Sequence, residues 1–304
     1  AIIGKWHLSN QEPNRPNQMG IDYFAGLIPG TVSDYKLWDL TINGQTITES
    51  DYITTKFTDL AIQWIKGQHQ PWFCWLAYTA PHSPFHLPPN EMHSQGELSS
   101  SQGVIDADPS PYYIGMIESI DFEMGRLLRS IPSDQKENTL IIFLGDNGTP
   151  GKVIQAPYEN NRSKGSLHQG GIHVPMIIGG SLVNRKGERD QSLIHTADLF
   201  STIAQVAGIS EAEYFNSQSF YKTLSKSTTS ARAYNYSEIL DNDRPAKSGF
   251  TIRNERYKLI TLDNNSFRFY DLKNDPYEKS NLINGNLSNE EQNILDKLII
   301  EAYD

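Results

Sequence analysis

Cysteine is almost absent: Cys74 is the single one in 304 residues, which excludes an internal disulfide. Its setting, Trp72-Phe73-Cys74-Trp75, makes it a buried apolar residue and not a reactive thiol. Basic charge is also short, since 26 Lys and Arg stand against 36 Asp and Glu for a net charge of −10. Without a Lys/Arg-rich run there is no basic face for phosphate contacts, and a nucleic-acid partner is excluded. No apolar stretch reaches the roughly 20 residues a bilayer requires, so no membrane span is expected. No signal-peptide pattern and no internal repeat is read within these 304 residues. The chain also lacks a polar lead. It opens on Ala1-Ile2-Ile3-Gly4, in the middle of a strand-like run, and we expect it to be an incomplete fragment whose amino-terminal part lies upstream.

What is present suits a globular protein: 38% of residues are hydrophobic and 11% aromatic. Residues 1–3, 72–78, 139–144 and 174–178 read as strands, and the five consecutive apolar residues 140–144 predict burial on both faces. Between them a helix follows an N-cap at Ser50, with Ile53, Phe57, Leu60, Ala61, Trp64 and Ile65 at helical spacing up to Gly67. Further helices are predicted over 112–128, closed by Pro132, and over 198–207, closed by Gly208. Strand alternating with helix predicts an α/β fold, a mostly parallel sheet with helices on both faces. Residues 10–50, 88–110 and 149–163 read as surface loops. A Ser/Thr-rich stretch at 225–230 marks a linker, followed by strands at 248–253, 257–262 and 266–270 and a helix over 290–302. Two domains are therefore expected, a main α/β domain over 1–230 and a small α+β subdomain over 231–304.

The candidate chemistry sits at strand ends. Gly145-Asp146-Asn147-Gly148 follows the strand 139–144, and Asp146 and Asn147 offer hard oxygen donors suited to Ca²⁺ or Mg²⁺; the same four residues also fit an Asn-Gly turn. Lys5 and His7, two apart past the first strand, can face one site or be ordinary surface groups. Prolines 81, 84, 88 and 89 fix the loop that presents His82 just past the strand 72–78. Arg162, Lys164, His168 and His173, set among Gly and Ser, concentrate donors for an oxyanion, or form a solvated loop. Parallel neighbours share one carboxyl edge, so Lys5, His7, His82, Asp146, Asn147 and Lys164 are expected to converge on one anion-binding pocket.

Taken together, Gly4-Lys5-Trp6-His7-Leu8, Pro81-His82-Ser83-Pro84, Gly145-Asp146-Asn147-Gly148 and Lys164-Gly165-Ser166 through Gly170-Gly171 resemble the sulfatases of the alkaline phosphatase superfamily. The tail segments Arg256-Tyr257-Lys258-Leu259-Ile260 and Tyr270-Asp271 through Tyr277-Glu278 fit the same resemblance, which covers essentially the whole chain. It implies an alkaline-phosphatase-like fold and a sulfuric ester hydrolase. By position it makes Asp146 and Asn147 ligands of a divalent cation, usually Ca²⁺. It sets Lys5, His7, His82 and Lys164 around the sulfate and the leaving oxygen, with a small-molecule or carbohydrate sulfate ester as substrate. The family's nucleophile, a formylglycine made in a Cys/Ser-x-Pro-x-Arg segment, and the Asp pair completing the metal site would precede Ala1. Cys74, without that Pro and Arg, cannot replace it. Gln169 and His173 replace the Glu and Arg usual beside the Gly-Gly pair, which questions how the Lys164 loop is braced. A periplasmic or secreted location is what the resemblance favours. The alternatives are a phosphoester or phosphonate hydrolase of the same superfamily and a non-catalytic binder of sulfated glycans.

Overall fold

The computed structural model describes residues 1–304 apart from residue 10, residues 210–213, 227–231 and 242–246, and residue 304. The chain divides into two compact units, Ala1–Lys136 and Glu137–Asp304. The domain boundary expected after residue 230 lies outside the described residues, as does most of the Ser/Thr-rich stretch at 225–230.

The first unit is built on a five-stranded sheet in the order β4-β3-β2-β1-β5, made of β1 (Ile2–Lys5), β2 (Phe24–Leu27), β3 (Trp38–Ile42), β4 (Gln45–Glu49) and β5 (Trp75–Ala77). The expected parallel core is present: β1 runs parallel to β2 on one side and to β5 on the other. The outer strands are antiparallel, β2 to β3 and β3 to β4, so the sheet is mixed. Residues 38–49, read from sequence only as loop, carried a hairpin signal. The two-residue turn Asn43-Gly44 has φ of 44° and 83°, both positive as a type I′ turn demands, between two alternating runs. Strand β5 is shorter than the expected 72–78, for it pairs only where β1 offers a partner, Ile2 to Gly4.

One helix packs on this sheet and a second packs on the first. Helix Ile53–Lys66 buries Ile53, Phe57, Leu60, Ala61 and Ile65 of the face its spacing predicts and leaves Trp64 half-buried. The predicted N-cap, Ser50, does not cap it. Instead the Glu49 carboxylate accepts the amides of Ser50 and Asp51 at 2.8 and 3.0 Å. Helix Ser110–Ser130 is tied to it by Arg126, which pairs with Glu123 at 2.6 Å and with Asp59 at 2.5 Å. Glu123 is fully buried and also accepts from Thr55 at 3.0 Å, so its charge is compensated on two sides.

In the second unit β6 (Leu140–Leu144) pairs with β7 (Met176–Gly180), and the pairing is antiparallel. Antiparallel neighbours need no crossover helix, and the connection between them holds only short helical turns. With β7 as its one partner among the described residues, β6 is half-buried along its length instead of buried on both faces. A four-stranded antiparallel sheet follows in the order β11-β10-β9-β8, from β8 (Asn235–Ile239), β9 (Gly249–Arg253), β10 (Tyr257–Leu262) and β11 (Phe267–Asp271). Helix Asn289–Tyr303 lays Leu295 and Leu298 on one face of it, against Ile252, Tyr257, Leu259 and Phe269. Each such side chain removed from water contributes about 1.5–3 kcal/mol. The opposite face, Ile260, Tyr270 and Leu272, packs on Leu167 from the Lys164 loop. Strand alternation thus gives the sheet two apolar faces, one for the helix and one for the loop. Among the described residues no helix is long and apolar enough to cross a membrane.

Candidate functional site

In the first unit the site begins where β1 ends. Gly4, at φ 120°, has no room for a side chain: a Cβ there would lie 2.0 Å from the Ala77 carbonyl oxygen of β5. That close approach lets β1 sit between its two parallel neighbours and release Lys5 at their common carboxyl edge. Lys5 is half-buried and ends the strand opposite Leu27. Trp6 turns inward, buried edge-on against Phe24 with ring centroids 6.0 Å apart, and its indole N–H reaches Ser9 Oγ at 2.9 Å. His7 turns outward. Its backbone takes the left-handed region at φ 57°, its amide donates to the Ile28 carbonyl at 3.2 Å, and its exposed ring lies over Gly30. Lys5 and His7 therefore flank a Trp anchor past one strand.

His82 follows β5, the parallel neighbour of β1, so all three residues leave the same edge of this sheet. Its amide donates to the Thr79 carbonyl at 3.0 Å, and its own carbonyl accepts the Tyr35 phenol at 2.7 Å. The ring Nδ1 lies 2.8 Å from the Ser83 carbonyl. A carbonyl only accepts, so Nδ1 carries a hydrogen and Nε2 is the ring nitrogen left outside this bond. Behind this loop stands His86, which sequence reading did not single out. It stacks on Tyr35 at 4.0 Å and meets the Tyr52 hydroxyl at 3.0 Å, and its Nδ1 lies 3.1 Å from the Pro84 carbonyl. Burial lowers its pKa to about 4, so this second histidine is a neutral packing group. The proline-bounded spacing His82-x-x-x-His86 was its only sequence signal.

In the second unit Asp146 and Asn147 follow the carboxyl end of β6, both exposed. The segment is fixed on either side: Gly145 N–H donates to the Pro175 carbonyl at 3.0 Å and Gly148 N–H to the Gly171 carbonyl at 2.9 Å. A Cβ on Gly148 would lie 1.9 Å from the Gly170 carbonyl oxygen, so glycine is required there. The Lys164 amide donates to the Thr149 carbonyl at 3.0 Å. The exposed Lys164 is thereby joined to the chain two residues beyond Asn147. Within this unit Asp146, Asn147 and Lys164 form one neighbourhood.

Of the donors flagged after Lys164, His168 and His173 divide. His173 is exposed, whereas His168 is 5% exposed, with Nε2 accepting from Arg268 at 3.0 Å. Burial first, then the charges of Lys258, Arg268 and Arg162, push its pKa down to about 3. It is a structural imidazole and no oxyanion donor. The bracing questioned at Gln169 is met by residues the sequence gave no reason to join. Gln169 is buried and Lys258 donates to its Oε1 at 3.3 Å.

Asp146 and Asn147 supply two hard oxygens, and the Asn147 Nδ2 donates to the Gly148 carbonyl at 3.2 Å, leaving Oδ1 as the side chain's acceptor. No group of three or more His, Cys, Asp or Glu able to hold a metal occurs among the described residues. Ca²⁺ takes about six to eight oxygens. The two oxygens of Asp146 and Asn147 fall short of that number.

A family model named Sulfatase matches residues 1–209. The chain belongs to the sulfatase family. A second model, N-sulphoglucosamine sulphohydrolase, C-terminal, matches residues 162–303 of this sulfatase. Among curated relatives, the uncharacterized sulfatase YdeN of Escherichia coli (strain K12) is 28% identical over 241 residues, covering 69% of this chain and 41% of that protein. The arylsulfatase of Klebsiella aerogenes is 25% identical over 302 residues, covering 68% of this chain and 65% of that protein. The sulfatase chain thus spans less than two thirds of either relative. The crystal structure of Ps i-CgsB in complex with k-i-k-neocarrahexaose aligns with a TM-score of 0.81 at 23% identity, covering 99% of this chain and 69% of that one. BT4656 in complex with D-Glucosamine-2-N, 6-O-disulfate aligns at 0.76 with 17% identity, covering 99% and 78%. These likenesses give the sulfatase an alkaline-phosphatase-like α/β fold with a carboxyl-terminal antiparallel sheet.

Proposed function

We propose that the chain serves the hydrolysis of a sulfate ester, with a sulfated carbohydrate as the substrate class. The observation that carries the reading is the hydrogen bond from the Lys164 amide to the Thr149 carbonyl, which straps the Lys164 backbone to the chain two residues beyond Asn147, past a strand end. The family membership supports it, and so does the sulfated sugar bound by one structural neighbour, D-Glucosamine-2-N, 6-O-disulfate in BT4656.

In such a hydrolysis the bond between sulfur and the leaving oxygen breaks, negative charge grows on that oxygen, and a proton must reach it. Lys5, His7 and Lys164 are assigned to the sulfate oxygens, where charge-assisted hydrogen bonds are the strong ones. His82 is assigned to the leaving oxygen. Its Nδ1 hydrogen is committed to the Ser83 carbonyl, so the transferable proton is on Nε2 of the imidazolium. The attacking group is assigned to no residue of this chain. Cys74 is held as a thiol, its pKa raised to about 11 by burial. Asp146 and Asn147 are assigned as ligands of Ca²⁺, or Mg²⁺ in its place, and no step is routed through that ion.

Calorimetric titration of the 304-residue chain with para-nitrophenyl sulfate and with a sulfated oligosaccharide tests this. Hydrogen bonds to a charged group are worth about 1.5–3 kcal/mol, so Lys164→Ala and His82→Ala are each expected to weaken binding roughly tenfold or more. Unchanged affinity in both variants would sink the assignment.

A further inference from the structure

Glu278 holds the Lys164 loop at both ends. Its backbone carbonyl accepts a hydrogen bond from the Arg162 guanidinium, and its Oε2 accepts the Gln169 backbone N–H at 2.7 Å. Its Oε1 lies 2.7 Å from the Lys258 ammonium on β10. Lys258 closes the circuit through its bond to Gln169 Oε1. Lys164 falls between the two held positions and is itself exposed. Leu167, also between them, is buried on the sheet face formed by Ile260 and Tyr270. The side chains of Lys258 and Glu278 are 0% and 1% exposed. Glu278 also adopts the left-handed region at φ 58°, which is uncommon for a long side chain and persists where surrounding contacts hold it.

A buried ion pair is a weak source of stability, because removing two charges from water costs about as much as their attraction returns. Apolar residues of similar volume would hold a sheet together as well. What they would not supply is an acceptor for the Gln169 amide. We propose that Lys258 and Glu278 are positioning residues, a clamp from the antiparallel sheet that fixes both ends of the 162–169 loop and so aims Lys164 at the substrate sulfate. The clamp acts through Arg162 and Gln169 and touches no substrate, and its functional half rests on the sulfate-ester reading of Lys164.

The test uses the full 304-residue chain and three variants. Lys258→Met combined with Glu278→Ala removes the acceptor without leaving a buried charge unpaired. Lys258→Met combined with Glu278→Gln restores a neutral oxygen that can accept the same amide. Lys164→Ala reports on the loop's own role. Amide hydrogen exchange of residues 162–169 is expected to accelerate on the order of tenfold or more in the Ala combination, with β10 amides still protected. Affinity for para-nitrophenyl sulfate should fall about as far, the usual scale for losing a supporting contact. The Gln combination should bring both back toward the parent. Unchanged exchange at 162–169, or equal acceleration throughout β9, β10 and β11, would overturn the clamp. If Lys164→Ala leaves affinity untouched, the sulfate role of Lys164 fails and the exchange result alone decides the clamp.

Discussion

Tyr35 donates its phenolic hydrogen to the backbone carbonyl of His82 across 2.7 Å, from a position 2% exposed. Burial raises the Tyr35 pKa well above the ordinary phenol, so the hydrogen stays in place across the working pH range. Tyr35→Phe keeps the stack on His86 and deletes only this bond. A loss of about 1 kcal/mol in unfolding free energy is expected, with weaker sulfate-ester binding because the His82 loop loses its internal tether. Denaturant unfolding and calorimetry check the pair. Unaltered stability and affinity together would show that the contact does not position His82.

Acid should destabilise the fold through histidines that stay neutral when folded. His168, at about 3, and His86, at about 4, both titrate below the ordinary imidazole value of about 6.5. The unfolded chain takes up these protons first, so stability is intact above pH 6.5 and falls as pH drops toward 3 to 4, by about 1.4 kcal/mol per pKa unit for each group. Denaturant midpoints measured at about pH 7 and about pH 4.5 should differ clearly, and His168→Gln should reduce the difference. Equal midpoints for the parent chain would contradict both assignments.

Much of this was legible because it is local. Strand β10 matches its predicted bounds, 257–262, because its alternation is regular, and the helix after it differs by one residue at each end. Lys5, His7, His82, Asp146 and Asn147 were singled out because each stands at or past an apolar run, and in the structure Lys5 closes β1 while the others follow β1, β5 and β6. What escaped was pairing at long sequence separation. Nothing in the spacing tells that Lys258 and Glu278 are buried together, or that Glu278 reaches back 109 positions to Gln169. The antiparallel sense of β7 likewise depends on how a loop returns, which periodicity does not record. The hairpin at Asn43-Gly44 is different, since its signal lay in the sequence unused.

Gly148 separates two strapped segments with no spare volume. Gly148→Ala drives a methyl into the Gly170 carbonyl oxygen, 1.9 Å from the ideal Cβ. The backbone must part, at a cost of about 1–3 kcal/mol, and the Asp146 turn should separate from the Lys164 loop. Gly179→Ala is the control, since its Cβ would meet nothing within 4 Å. A change within about 0.5 kcal/mol is expected there. Similar unfolding midpoints for the two variants would refute the packing argument.

The chain alone is expected to turn over no aryl sulfate at a rate attributable to covalent catalysis, since positioned cations without a nucleophile leave only binding and electrostatic terms. A chromogenic aryl sulfate assayed with and without Ca²⁺ measures this, and Cys74→Ala serves as the companion variant. Robust turnover abolished by that substitution would return the Cys74 thiol, half-buried where full burial was expected, to consideration as nucleophile.

The cation site is open to a thermodynamic test that needs no turnover. Two hard oxygens from Asp146 and Asn147 fall short of the six to eight that give Ca²⁺ tight binding, and each missing ligand must be replaced by water. The 304-residue chain should therefore bind Ca²⁺ no more tightly than about 1 mM. At that affinity about 10 mM Ca²⁺ raises the unfolding free energy by at most about 1.4 kcal/mol, from RT ln(1 + [L]/Kd). Asp146→Asn removes the one charged ligand and should abolish even that increment. Calorimetry gives the constant directly, and thermal unfolding with and without Ca²⁺ gives the linked shift. Micromolar binding lost in Asp146→Asn would mean that further residues of this chain complete the coordination shell, and the two-ligand description of the site would be wrong.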